Sequence, residues 1–135
     1  EFKTHKKKEA EDELAEKVIK MVHARGLQNR VEYISFGINL VNQVRKLDPA
    51  APVYYLNGDL SPRVIKSMGA AGIDYHFSVV KNNPHWVKES HDLGLKVNVW
   101  TVNKAEDIKE MIDLKVDYIT TDEPLLTRKL IEEAK

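Results

Sequence analysis

The stretch Lys96-Val97-Asn98-Val99-Trp100-Thr101-Val102-Asn103, followed after a helical pattern by Val116-Asp117-Tyr118-Ile119-Thr120-Thr121-Asp122-Glu123-Pro124, decides the fold. Each half is a short apolar strand that ends in polar residues and runs straight into a helix. Polar and aromatic side chains therefore gather at C-terminal strand ends, the face on which β/α barrels carry their sites.

The same unit repeats towards the N-terminus. Apolar or β-branched runs occur at Glu1–His5, Val31–Phe36, Pro52–Leu56, Asp74–Val79, Val97–Val102 and Val116–Thr120, with helical patterns between them. Strands alternating with amphipathic helices imply a mostly parallel sheet covered by helices. Two architectures fit, an open doubly wound sheet and the larger part of an eight-stranded barrel. The expected fold class is α/β, a partial β/α (TIM-type) barrel of about six parallel strands with covering helices, with residues 1–135 as a single domain. No G-x-G-x-x-G or G-x-x-x-x-G-K-[ST] loop supports nucleotide chemistry on an open sheet.

Helix punctuation supports the alternation. The first helix is expected from about Lys8 to Arg25, with Leu14, Val18, Met21 and Val22 as its apolar stripe and Gly26 as its stop. Ser61-Pro62 and Asn83-Pro84 read as caps followed by a helix-starting proline, with Gly69 or Gly72, and then Gly94, as stops. Asn103-Lys104-Ala105-Glu106 reads as a capping box, and Asp122 as the cap of the last helix.

Composition narrows the class. The 21 Lys+Arg balance the 21 Asp+Glu, so no global field favours nucleic acid or an anionic membrane surface. No apolar run approaches the roughly 20 residues of a membrane span, so no stable membrane insertion is expected. Cysteine is absent, which excludes disulfides and thiolate metal sites. No secretion signal is visible, and the sequence leaves the compartment, cytoplasmic or exported, open.

Taken together, Glu1-Phe2-Lys3, Ile34-Ser35-Phe36, Val53–Leu56, Leu93-Gly94-Leu95, Trp100-Thr101-Val102-Asn103 and Thr121-Asp122-Glu123-Pro124 resemble the glycerophosphodiester phosphodiesterase family. The Trp-Thr-Val-Asn and Thr-Asp-x-Pro pair, in this order and spacing, is the more specific part. The resemblance implies hydrolysis of a small-molecule glycerophosphodiester to glycerol 3-phosphate and an alcohol. It implies Glu1 as a ligand to a divalent cation, Ca²⁺ or Mg²⁺, and Lys3 as a catalytic residue facing the phosphate. It departs from the family in lacking the His-Arg-Gly, Glu-Asn-Thr, Glu-x-Asp and His-Asp motifs, which carry the acid/base histidines and most of the cation site. The 135 residues therefore resemble the C-terminal portion of a family member, and alone are expected to be inactive. A missing N-terminal portion or a second chain would be needed to complete the barrel.

The residues themselves carry part of this reading. Glu1, Lys3 and His5 share strand parity, so they project to one face. A carboxylate and an ammonium inside a barrel are costly unless paired or used. Asn98, Trp100 and Val102 also share a face. Trp100 reads either as a tryptophan filling the barrel mouth or as an apolar wall for substrate, with Phe36, Tyr55 and Leu56 at comparable depth. Phe36 and Leu56 join Trp100 as substrate-binding candidates. His23, His85 and His91 fall in helices, and no zinc spacing or nucleophile elbow is present. A non-catalytic partial barrel, completed by a partner or a homodimer, is the alternative function.

Overall fold

Every neighbouring pair of strands in the sheet is parallel, and the spatial order is the sequence order, β1-β2-β3-β4-β5. The computed structural model describes residues 1–135. Its strands are β1 (Tyr33–Ser35), β2 (Val53–Tyr55), β3 (Gly72–His76), β4 (Lys96–Trp100) and β5 (Tyr118–Ile119). The helices are α1 (Lys8–Ala24), α2 (Ile38–Leu47), α3 (Pro62–Ser67), α4 (Phe77–Asn82), α5 (His85–Asp92), α6 (Ala105–Asp113) and α7 (Pro124–Glu133).

A doubly wound sheet reverses its strand order at a switch point. This sheet has no reversal, so successive right-handed crossovers put every helix on one face, as in an arc of a β/α barrel. Before β1, Phe2 forms a parallel bridge to Ser35, with Phe2 N donating to the Ile34 carbonyl at 2.9 Å. The expected strand over Glu1–His5 is thus reduced to one paired residue, and the sheet has five regular strands plus this bridge.

Strand alternation divides the side chains between two faces. Tyr33, Val53, Tyr55, Ile73, Tyr75, Val97 and Val99 point to the helices and are 0–6% exposed. They share one core with Ala15, Ile19 and Val22 of α1, Leu40, Val41 and Val44 of α2, and Ile108 and Met111 of α6. Burying each such side chain stabilises the fold by roughly 1.5–3 kcal/mol. The opposite face carries Ile34, Tyr54, Asp74, Asn98 and Thr120, which line a cavity on the barrel's inner side.

Gly72 is fixed by the approach of β4. A Cβ at this position would lie 2.0 Å from the Lys96 carbonyl oxygen, so no side chain fits. The helix stop that precedes it is Gly69, at φ +74°.

Several local expectations are corrected. α1 buries Glu11, Ala15, Ile19 and Val22, leaving Leu14 and Met21 exposed, so its inner stripe is rotated from the expected one. The strand expected at Asp74–Val79 ends at His76, because the His76 ring accepts from Ser78 N at 3.3 Å and starts α4 there. Asn83 serves α4 rather than α5, donating through Nδ2 to the Val79 carbonyl. Asn103 and Asp122 cap neither α6 nor α7. They bond each other across the two strand-end loops, Asn103 Nδ2 donating to Asp122 Oδ2 at 2.8 Å.

Candidate active site

The C-terminal ends of the strands surround a cavity lined by Glu1, Lys3, Ile34, Phe36, Leu56, Asp74, Trp100, Thr101 and Thr120. All five residues singled out from the sequence, Glu1, Lys3, Phe36, Leu56 and Trp100, are in this group. The even spacing in each strand is the cause. Ile34 and Phe36 lie two residues apart on β1 and its continuation, Glu1 and Lys3 flank the bridged Phe2 on its other side, and Trp100 ends β4, so extended backbone directs all of them to the same face. A second cleft, between α6 and α7, lies on the outer helical surface and holds no strand-end residue.

One wall of the cavity is aromatic. Trp100 meets Phe36 edge-on, with ring centroids 5.8 Å apart at 79°, and meets His76 at 5.2 Å and 85°. Such edge-to-face pairs are favourable because the positive ring edge meets the negative face. The indole Nε1 donates to the Asp74 carbonyl at 2.8 Å, which holds the ring in one orientation. Phe36 nevertheless remains 41% exposed, so the wall presents apolar surface to whatever enters.

The polar wall begins at Glu1 and Lys3. Lys3 Nζ donates to Glu1 Oε1 at 2.7 Å. Deeper in the cavity, Asp74 is only 4% exposed. Its Oδ1 accepts from Asn98 Nδ2 at 2.6 Å, and the Asn98 Oδ1 accepts in turn from Thr120 Oγ1 at 3.3 Å. The register explains this rung, because Asp74 lies directly opposite Asn98 in the β3–β4 ladder. Burial pushes the Asp74 carboxyl up to about 6, opposed by the Asn98 donation and reinforced by the Glu1 charge.

Other expected members fall elsewhere. His5 leaves the inner face as the chain turns into α1. Its backbone N–H donates to Glu11 Oε1, and its ring accepts from Lys7 N. Val102, expected beside Trp100, is fully buried in the helix-side core, because β4 ends at Trp100 and the alternation ends with it. Tyr55 likewise faces the helices, where it meets Tyr75 edge-on. His23 and His91 are surface groups paired with Asp48 and Asp117.

These 135 residues do not make a cation site. No cluster of three His, Cys, Asp or Glu side chains is arranged to hold an ion. Ca²⁺ and Mg²⁺ take six or more oxygens. Within the cavity only Glu1 and Asp74 are carboxylates, the first paired with Lys3 and the second bonded to Asn98. No histidine lines the cavity either, so its own groups supply no ordinary acid/base pair.

Asp74 was missed by sequence reasoning, although a signal existed. An acidic residue between Ile73 and Tyr75, in a strand whose odd positions are apolar, must project to the other face.

Comparison with known proteins fits this geometry. Residues 1–126 match the glycerophosphoryl diester phosphodiesterase family. A glycerophosphodiester phosphodiesterase of Caldanaerobacter subterraneus subsp. tengcongensis is 30% identical over 115 residues, covering 82% of this chain and 46% of that protein. The crystal structure of a glycerophosphodiester phosphodiesterase from Parabacteroides distasonis superposes with a TM-score of 0.95 at 41% identity, over 98% of this chain and 56% of that one. One from Agrobacterium tumefaciens, 21% identical, shares the fold with a TM-score of 0.73, over 87% of this chain and 52% of that one. The chain thus spans about half the length of the relatives it matches. It belongs to the glycerophosphoryl diester phosphodiesterase family, and its five-stranded sheet is an arc of a β/α barrel.

Proposed function

We propose that these residues form one side of the active site of a hydrolase that cleaves glycerophosphodiesters to glycerol 3-phosphate and an alcohol. The observation that carries this reading is the convergence of Glu1, Lys3 and Trp100 on one cavity at the C-terminal strand ends. Family membership supports the reaction class.

In this reading water adds to phosphorus, the P–O bond to the alcohol breaks, and the alcohol oxygen takes up a proton. The negative charge on the phosphoryl oxygens needs a fixed counter-charge. Lys3 provides it, with its ammonium already held over the cavity by Glu1. Trp100, Phe36 and Leu56 supply the apolar wall against which the organic part of the diester packs, and which limits water access.

Members of the family generally depend on a divalent cation. We assign Glu1 as one ligand to it, Mg²⁺ or Ca²⁺. The remaining ligands and the acid/base groups come from the residues that complete the barrel. Support for such completion comes from the open sheet. Its inner face leaves Tyr118 44% exposed, and its outermost partners are β5 and the Phe2 bridge. Unpaired parallel edges of this kind invite pairing with another strand.

The test is release of glycerol 3-phosphate from glycerophosphocholine with Mg²⁺ or Ca²⁺ and with a chelator. The 135-residue chain alone should show negligible turnover, and supplying the complementary part of the barrel should restore a chelator-sensitive rate. Full turnover by the 135 residues alone would refute the division of labour proposed here. A non-catalytic binding role would leave both samples without turnover.

A further inference from the structure

We propose that the Asp74 carboxyl is the group that accepts a hydrogen bond from a hydroxyl of the substrate's glycerol. The inference rests on the function proposed above and names a residue for substrate selection within it.

The geometry is that of a buried acceptor with capacity to spare. Asp74 is 4% exposed and lines both the mouth cavity and the deeper one on the inner face of the sheet. Its Oδ1 takes the Asn98 amide at 2.6 Å, and no other side chain or backbone donor reaches the carboxyl. It has no salt-bridge partner, since the cavity's one ammonium, Lys3, pairs with Glu1. An ionised carboxylate has about four acceptor sites, and the oxygen that Asn98 leaves free faces the cavity, where water holds it until a better-placed donor replaces that water. An entering donor so placed is favoured.

The neighbours select what kind of donor that is. The two cavities set Asp74 beside Ile34, Leu56, Trp100, Asn98 and Thr120, with the Glu1–Lys3 pair on the mouth side and Glu32 and Tyr118 on the inner side. A compact neutral hydroxyl on a short carbon chain satisfies both surfaces, donating to Asp74 while its methylenes lie against the apolar wall. Thr120 Oγ1, already tied to Asn98, gives the rung a second oxygen facing the same space. A site built around such an acceptor discriminates against an analogue without the hydroxyl, because displacing the water on the free oxygen is then not repaid by a new hydrogen bond.

The experiment compares two probes on the intact, cation-loaded enzyme by calorimetry, sn-glycerol 3-phosphate and methyl phosphate, which lacks the glycerol hydroxyls. Asp74→Asn keeps an Oδ1 for Asn98 and replaces the free acceptor by an NH₂ donor. The expected result is a loss of roughly 10- to 100-fold in affinity for glycerol 3-phosphate, the scale of a hydrogen bond to a charged group. Methyl phosphate binding should be unchanged, which also shows that the variant is folded. Equal losses for both probes would mark Asp74 as a structural residue, and no loss would leave it without a part in recognition. A fall in cation affinity would assign it to the ion instead. Each of those three results overturns the inference while leaving the proposed reaction intact. If the unsubstituted enzyme binds neither phosphate, the proposed function itself fails and this inference with it.

Discussion

Trp100 is tied to the neighbouring strand through the Asp74 carbonyl, which accepts from its indole Nε1 at 2.8 Å. The bond does what strand pairing cannot, because it fixes a side chain rather than a backbone. The ring then has one orientation in which to meet Phe36 and His76 edge-on.

Trp100→Phe should therefore separate orientation from bulk. Phenylalanine retains an apolar ring but loses the donor, a change worth about 0.5–1.5 kcal/mol, or roughly 2- to 10-fold in kcat/KM. Trp100→Ala removes the wall as well and should cost about 100-fold. Steady-state kinetics on a glycerophosphodiester would check this. Equal losses for the two variants would show that the indole nitrogen alone matters, and no loss for either would remove Trp100 from the site.

The sequence revealed some of this arrangement and concealed the rest for physical reasons. Alternating strand and helix signals, with Gly26, Gly69 and Gly94 as left-handed helix stops, were sufficient to indicate a parallel sheet with covering helices. Glu1 and Lys3 could be placed on one face by parity alone. Asp74 could not be linked to Asn98 that way, because the partnership depends on the β3–β4 register, which strand parity does not give. Asn103 and Asp122 misled for a related reason. A short polar side chain before a helix can cap it or reach across to another loop, and here the loops at the ends of β4 and β5 are close enough for the second. The order of the strands, which excludes the doubly wound sheet, came only from the structure.

The Asp74 carboxyl gives the fold a definite pH signature. Its ordinary value of 3.8 is raised to about 6 by burial, with Glu1 adding to the rise. The folded state then holds this proton more tightly than the unfolded chain. Its contribution is fully present below about pH 4 and is lost as pH rises through about 6, reaching on the order of 2–3 kcal/mol. Asp74→Asn, which keeps the Asn98 contact and cannot ionise, should abolish that part of the profile. Thermal unfolding of both proteins in chelator should show little difference in Tm below about pH 4 and an advantage of a few degrees for the variant at neutral pH. A gap that does not change with pH would show that Asp74 titrates normally.

The central claim is that the cavity shared by Glu1, Lys3 and Trp100 is where a phosphodiester is cleaved. It is tested most directly by kcat/KM for glycerophosphocholine in the intact enzyme and in its Lys3→Met variant, at saturating cation. Methionine keeps the length of the side chain and removes the charge. The account predicts a fall of about 100-fold or more, the scale found when one preorganised charge-stabilising donor is removed, with the unfolding temperature nearly unchanged because the side chain is 79% exposed. A variant that cleaves the substrate at the unsubstituted rate would contradict it.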